Sequence, residues 1–311
     1  YIPELGHNVS VTDYAHTLYI RASWTDFNPQ EDVYGWKIDS NLRAYIEGAY
    51  QRNMRLAFRV VVDSRDKRTE FTPQFVKDAG AKGFMNKGKW SPYSDDPVFQ
   101  KYYTKFVKAL AKDFNDPSKV EFIDGFGLGK WGEYHTMIYS TGDDTPKKAV
   151  FDWVTDIYSQ AFDKVPVVIN YHRWIGAGKD WVDDEHFAAD SEEMLEEAIK
   201  KGYSLRHDAF GMTTYYGSWE RRFAKKYRNI CPIIMEGGWI VKSHSYWQDP
   251  RGYRKDSHED VRRGEFDDSK EAHVNMMDFR FGDTESWFKD AFDLVRRFLR
   301  EGGYRLYPSE I

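Results

Sequence analysis

The feature that most constrains this chain is its repeated alternation of short apolar runs with amphipathic stretches. Runs at 18–24, 54–62, 165–171, 205–213, 230–236 and 274–281 read as strands, and another opens at Val120. Apolar runs of this kind suit strands covered on both faces, as in parallel α/β sheets. Between them, 97–114 repeats Phe99, Tyr102, Tyr103, Phe106 and Leu110 at spacings of three and four, which predicts a helix. Helices are also expected after an Asp39 or Ser40 N-cap and over 147–162, 191–201, 218–227 and 287–300. Residues 64–96 read as a long loop, and 240–271 as a long polar segment. Strand–helix alternation argues for βαβ units rather than a sandwich or a bundle. Residues 1–16 have room for one more, weakly marked strand. The expected fold is therefore α/β, a closed (β/α)8 TIM barrel rather than an open doubly wound sheet. Gly125, Gly127 and Gly129 lead into Trp–Gly–Glu and not into a helix N-terminus, so they do not make a dinucleotide-binding fingerprint.

Two of the strands end in a glutamate. VEFIDGFGLGKWGEYH (120–135) runs through a glycine-spaced turn that delivers Trp131, Glu133 and His135, and ICPIIMEGGW (230–239) ends in Glu236 followed by two glycines and Trp239. Barrels of parallel strands place their chemistry at the strands' C-terminal ends. A pair of carboxylates there suits glycoside hydrolysis, in which one protonates the leaving oxygen and the other attacks the anomeric carbon or activates water. Each glutamate taken alone reads equally as a solvated loop residue or half of an ion pair.

Other candidates follow from their positions. Arg59 shares a strand phase with Asp63 and is placed either to bond a catalytic carboxylate or to form an internal salt bridge. Asn170 and His172 share a phase at a strand end and are candidates for sugar hydroxyls. Asp278 and Arg280 do the same on the last strand. Trp24, Trp131, Trp174 and Trp239 are candidate sugar-stacking platforms, with packing the alternative for each. Aromatic residues make up 17% of the chain, which suits either a sugar cleft or a large aromatic core.

The net charge of −5 gives no general reason to expect nucleic acid or an anionic membrane as a partner. Basic residues between Lys242 and Arg263 are matched by acidic neighbours, so a solvated mixed-charge segment is expected there. No run of about 20 apolar residues marks a membrane span. The lone Cys231 begins an apolar run and is expected to be a small buried filler, not a thiolate site. The nine histidines are scattered without H-x-H or H-E-x-x-H spacing, so neither a metal nor another cofactor is expected.

The two glutamate motifs resemble glycoside hydrolase clan A, whose acid/base ends the fourth strand and whose nucleophilic glutamate ends the seventh. WTDFNPQEDVYGWKIDSNL (24–42) is similar to a W-x-x-x-x-P-x-x-x-x-Y-x-W segment of that clan, including family 42-type β-galactosidases. GFGLGKWGEYH and the terminal GGYRLYP resemble uncharacterised bacterial clan-A-like proteins with a G-x-W-G-E-x-H motif, in which a β-sandwich follows the barrel. The resemblance implies a retaining glycosidase acting on an oligo- or polysaccharide, with Glu133 as acid/base and Glu236 as nucleophile. It further implies a catalytic barrel over 1–303, the start of a further, cut-short segment at 304–311, and a periplasmic, secreted or cell-surface bacterial location. Many clan A members carry Asn immediately before the acid/base, whereas this chain has Gly132. The alternatives are a carbohydrate-binding barrel without turnover, or a metal-dependent hydrolase or lyase on the same fold.

Overall fold

The computed structural model describes residues 1–65, 67, 69–178, 185–212, 215–238, 258–280 and 284–302, leaving aside the side chains of 185–187 and 258–260. The chain divides into two compact units, Ala15–Tyr203 and Tyr1–Tyr14 with Ser204–Ile311.

The Ala15–Tyr203 unit runs β1 (Thr17–Ser23), α1 (Trp24–Phe27), α2 (Asn41–Tyr50), β2 (Arg55–Val61), α3 (Gln74–Asp78), β3 (Gly83–Asn86), β4 (Lys89–Pro92), α4 (Pro97–Phe114), β5 (Val120–Asp124), α5 (Lys147–Ala161), β6 (Val167–Asn170) and α6 (Glu185–Lys200). Strands β1, β2, β5 and β6 pair in that order, all parallel. Six of the seven residues of β2 are buried, as expected of a strand covered on both faces. Helix α4 starts where Asp96 accepts the Phe99 N–H at 2.8 Å and Pro97 takes the first turn, and its inner face buries Phe99, Tyr103, Phe106, Leu110 and Phe114. Ser40, rather than Asp39, caps α2.

Residues 64–96 are more ordered than the expected loop. They contain α3 and the antiparallel β3–β4 hairpin, whose turn residues Lys87 and Gly88 both have positive φ. A two-residue turn with both φ positive is the mirror-image type that matches strand twist, and glycine favours it. Helix α6 starts six residues before Ser191, which lies within it and accepts the Ile175 N–H at 2.9 Å instead of capping the helix.

The second unit runs β7 (Ser204–Phe210), α7 (Ser218–Tyr227), β8 (Ile233–Gly237), α8 (His258–Glu271), β9 (Met276–Asp278), α9 (Thr284–Asp290) and α10 (Phe292–Glu301). Its strands pair in parallel, β7 with β8 and β8 with β9. The strand expected within residues 1–16 is not formed: an isolated Ile2–His7 bridge and a single 3-10 turn at Val11–Asp13 stand there. Tyr14 packs edge-on against Phe288 and Phe292. The polar 240–271 segment is helical from His258, and the closing helix is two helices broken at Ala291. Residues 304–311 and most of the basic stretch after Lys242 lie outside the described residues. Among the described residues, no helix is long and apolar enough to cross a membrane.

Cys231 is only partly exposed, and burial pushes its thiol up to about 11. Since the thiolate is the nucleophile, alkylation by iodoacetamide is expected to be slow at pH 7 and to accelerate steadily up to about pH 11. Reactivity that levels off near pH 8, followed by mass spectrometry, would contradict that environment.

One glycine ties β5's exit to the sheet. Gly127 has φ +65°, and a Cβ there would overlap the Val60 carbonyl oxygen, while its own carbonyl accepts the Val62 N–H at 3.1 Å. Gly127→Ala is expected to cost about 3 kcal/mol, combining left-handed backbone strain with overpacking, and to lower the urea midpoint accordingly.

Candidate active site

Parallel register lines up the first group of charged residues. Arg21 on β1 lies opposite Arg59 on β2, and Arg59 lies opposite Asp124 on β5. Side chains two apart share a face, so Tyr19 joins this row from β1. The fully buried Arg59 donates through Nε to Asp124 Oδ2 at 2.6 Å, and Tyr19 donates its hydroxyl to the same oxygen at 3.0 Å.

Glu133 reaches this row from the loop after β5. Beyond Asp124 the chain leaves the sheet, and buried tyrosines hold its carbonyls. Tyr103 donates to Phe126 O at 3.1 Å and Tyr203 to Gly125 O at 2.9 Å. Burial raises both phenols well above their usual range, which keeps them as neutral donors. The backbone is then unusually left-handed: Gly127, Gly129, Trp131, Gly132, Tyr134 and Thr136 all have positive φ. Non-glycine residues in that region cost free energy and tend to gather at functional sites. Glu133, between them, sits at φ −103°, ψ 7°, in the sparsely populated bridge region.

The result is a carboxylate held on both oxygens. Oε1 receives Arg21 Nη2 at 3.1 Å and Arg59 Nη1 at 3.4 Å, while Oε2 meets His135 Nε2 at 3.3 Å. Two guanidinium groups on one oxygen stabilise its negative form. The Glu133 side chain keeps 11% exposure, so the group is mostly but not wholly closed off. His172 donates its Nε2–H to the Glu133 carbonyl at 2.7 Å, and its Nδ1 accepts the Trp174 N–H at 3.1 Å. That pair of partners sets the neutral tautomer.

In the second unit, Glu236 lies near the C-terminal end of β8 and is 3% exposed. Arg206, fully buried on β7, bridges Glu236 and Asp208. Register sets Asp278 of β9 opposite Glu236. Asp278 accepts the Arg280 N–H at 2.8 Å, and the Arg280 guanidinium lies 3.8 Å from Glu236 Oε1. Gly237 lies against the buried Glu265 of α8, where a Cβ would overlap the Glu265 carboxylate.

Several sequence-level expectations change. Trp24 is no platform: it is fully buried and meets Phe75, Phe99, Tyr103 and Phe106. Trp174 is also buried, with the Arg173 guanidinium 3.9 Å above its ring, so it offers no stacking face. Because both ring nitrogens of His172 hold backbone groups, it positions Glu133 instead of meeting sugar hydroxyls. Trp131 is half-buried, with Lys130 Nζ 4.3 Å over its ring, and Asn170 is buried at the end of β6. Trp239 lies outside the described residues. Arg59 takes both roles considered for it, internal salt bridge and carboxylate partner. The residues not anticipated are Tyr19, Arg21, Asp124, Arg206 and Asp208. Their signal was charge inside strand runs, as in VEFID and SLRHDAF, where burial demands partners. Among the described residues, no three or more His, Cys, Asp or Glu gather as a metal site would require.

No protein-family model matches the sequence, and no curated protein does either. Solved structures do. Xylanase 10C from Cellvibrio japonicus, in complex with xylopentaose, is 10% identical at a TM-score of 0.52, over 85% of this chain and 50% of its own. Xylanase XynB from Paenibacillus barcinonensis, complexed with a conduramine derivative, is 6% identical at 0.50, over 86% and 77%. The chain has the (β/α)8 fold. It spans half the length of the Cellvibrio xylanase. Glu133 follows the third parallel strand of the described residues and Glu236 lies near the end of the sixth.

Arg59 is the group on which the first cluster turns. Replacing it with Met leaves Asp124 and Glu133 without their buried cation, and a loss of about 3–5 kcal/mol is expected in urea unfolding. A variant as stable as the parent would show that the ion pairs contribute nothing.

Proposed function

We propose that this protein is a retaining glycoside hydrolase, with Glu236 as the nucleophile and Glu133 as the acid/base. One observation carries the reading. In each unit a buried carboxylate lies at or beyond the C-terminal end of a parallel strand and receives an arginine from a neighbouring strand. Arg206 and Arg280 suit Glu236 to the nucleophile's role, since a nucleophile must be ionised when it attacks. Glu133 would first protonate the leaving oxygen and then take a proton from the water that cleaves the glycosyl–enzyme. The likeness to xylanases makes xylan and its oligomers the first substrates to try. Clan A is the grouping this supports; nothing singles out the family 42 type.

A second reading has a specific observation behind it. Two arginines on Glu133 Oε1 favour a permanent carboxylate, as in a carbohydrate-binding barrel without turnover. Turnover decides between the two. Xylo-oligosaccharides, manno-oligosaccharides and cello-oligosaccharides are incubated with the protein, and the first-formed anomer is followed by proton NMR. Retention of configuration is expected. Glu236→Ala should remove hydrolysis, and Glu133→Ala should lower kcat/KM by about 10²–10⁴-fold. Inversion would exclude the nucleophile role, while calorimetric binding without any hydrolysis would favour the binding barrel.

A further inference from the structure

Glu133 poses a chemical problem that its neighbours resolve. An acid/base must hold a proton in one half of the reaction, yet Arg21 and Arg59 both act on Oε1 to keep the group ionised. The other oxygen faces a group able to hold that proton. His135 Nε2 lies 3.3 Å from Oε2, on a side chain that is only 7% exposed. Its Nδ1 lies 2.9 Å from the Thr136 hydroxyl, which accepts from a protonated nitrogen or donates to a bare one by rotating. The ring meets Trp131 and His172 edge-on, each with centroids 5.7 Å away, so its orientation is fixed by packing. His172 is held neutral by its two backbone partners and does not compete for the proton.

On the glycosidase reading above, we infer that Glu133 and His135 act as one proton-holding unit, with His135 a positioning residue that stores the acid's proton. Among the described residues, the charged groups held against the pair include Arg21 of β1 and Arg59 of β2, both on Oε1, and Asp124 of β5 behind Arg59, while Lys130 and Arg173 lie over the neighbouring Trp131 and Trp174 rings. In the resting form the Glu133 carboxylate faces a His135 imidazolium whose Nδ1–H is donated to Thr136. When the glycosidic C–O bond breaks, the Nε2 proton passes to Oε2 and from there to the leaving oxygen, while the anomeric carbon bonds to Glu236. Two lone pairs, on Oε2 and Nε2, then face each other, which makes the pair avid for a proton. The attacking water supplies it: its hydroxide bonds to the anomeric carbon, the bond to Glu236 breaks, and the proton returns to the pair. One proton leaves and one returns, and no other reactant is needed.

The test uses the whole chain and has two independent readouts. The imidazole resonances of 15N-histidine-labelled protein are titrated by NMR, with His135→Gln used to assign the His135 signal. His135 is expected to titrate as a single group, and Glu133→Gln to move its midpoint down by about one pH unit, because an adjacent carboxylate stabilises the imidazolium. An unmoved midpoint, or a His135 that does not titrate, overturns the pairing whether or not the protein hydrolyses sugars. The second readout is the pH dependence of kcat/KM on whichever glycan is hydrolysed. His135→Gln should shift the alkaline limb and slow glycosides with poor leaving groups by about 10-fold or more, while dinitrophenyl glycosides, which need no acid, are little affected. Equal losses on both, with the limb unmoved, would leave His135 a packing residue. Absence of all hydrolysis would overturn the glycosidase reading and with it the proton-storing role, while the NMR titration would still report on the Glu133–His135 contact.

Discussion

The buried guanidinium of Arg59 is the interaction on which the first unit's centre depends. It is wholly enclosed, and its cost of desolvation is offset by the carboxylates that converge on it, among them Asp124 from the neighbouring strand and Glu133 from the loop beyond. Three consequences follow from that one group. Strands β1, β2 and β5 must keep the register that sets Arg21, Arg59 and Asp124 side by side. The loop after β5 must turn back far enough to bring Glu133 to the same cation. And Tyr19 must point where it can share Asp124 with Arg59. The second unit repeats this arrangement on a smaller scale, with buried Arg206 between Asp208 and Glu236.

Much of the fold could be read from the sequence because burial writes itself into strand composition. RLAFRVV and VVIN are nearly unbroken apolar runs, and their strands lie within a residue or two of the expected limits. The start of α4 was legible for a similar reason, since Asp96–Pro97 and the repeat of Phe99, Tyr103 and Phe106 mark a capped amphipathic helix. Where expectations missed, the cause lay in tertiary contacts. Ser191 looks like an N-cap, but its hydroxyl serves Ile175, so nothing local ends the helix there. The β3–β4 hairpin is short and rests on positive φ at Lys87 and Gly88, a signal of two residues that is easily read as loop.

The site was legible in its glutamates and obscure in its partners. Glu133 and Glu236 follow apolar strands, which is a local signal. Arg21, Asp124 and Arg206 matter because of what lies across a strand pair, and no local spacing records that. The tryptophans misled for a related reason. Trp24 follows directly on a strand, where a cleft residue would stand, yet the one-turn helix α1 turns it inward onto Phe99, Tyr103 and Phe106.

The glycine before Glu133, where the resemblance to clan A leads one to expect asparagine, sits in a confined left-handed turn. Gly132 adopts φ +77°, and a Cβ at that position would lie 3.3 Å from the Gly127 Cα and 3.5 Å from the Arg59 side-chain stem. Asparagine tolerates left-handed backbone better than most residues, so conformation alone does not demand glycine. Space adds the further restriction. The turn passes between Arg59's aliphatic stem and the Gly127 segment, and side-chain atoms beyond Cβ would have to find room beside the groups that hold Glu133. The tight approach to the Gly127 backbone, more than the ordinary contact with the Arg59 stem, is what favours a small residue before Glu133.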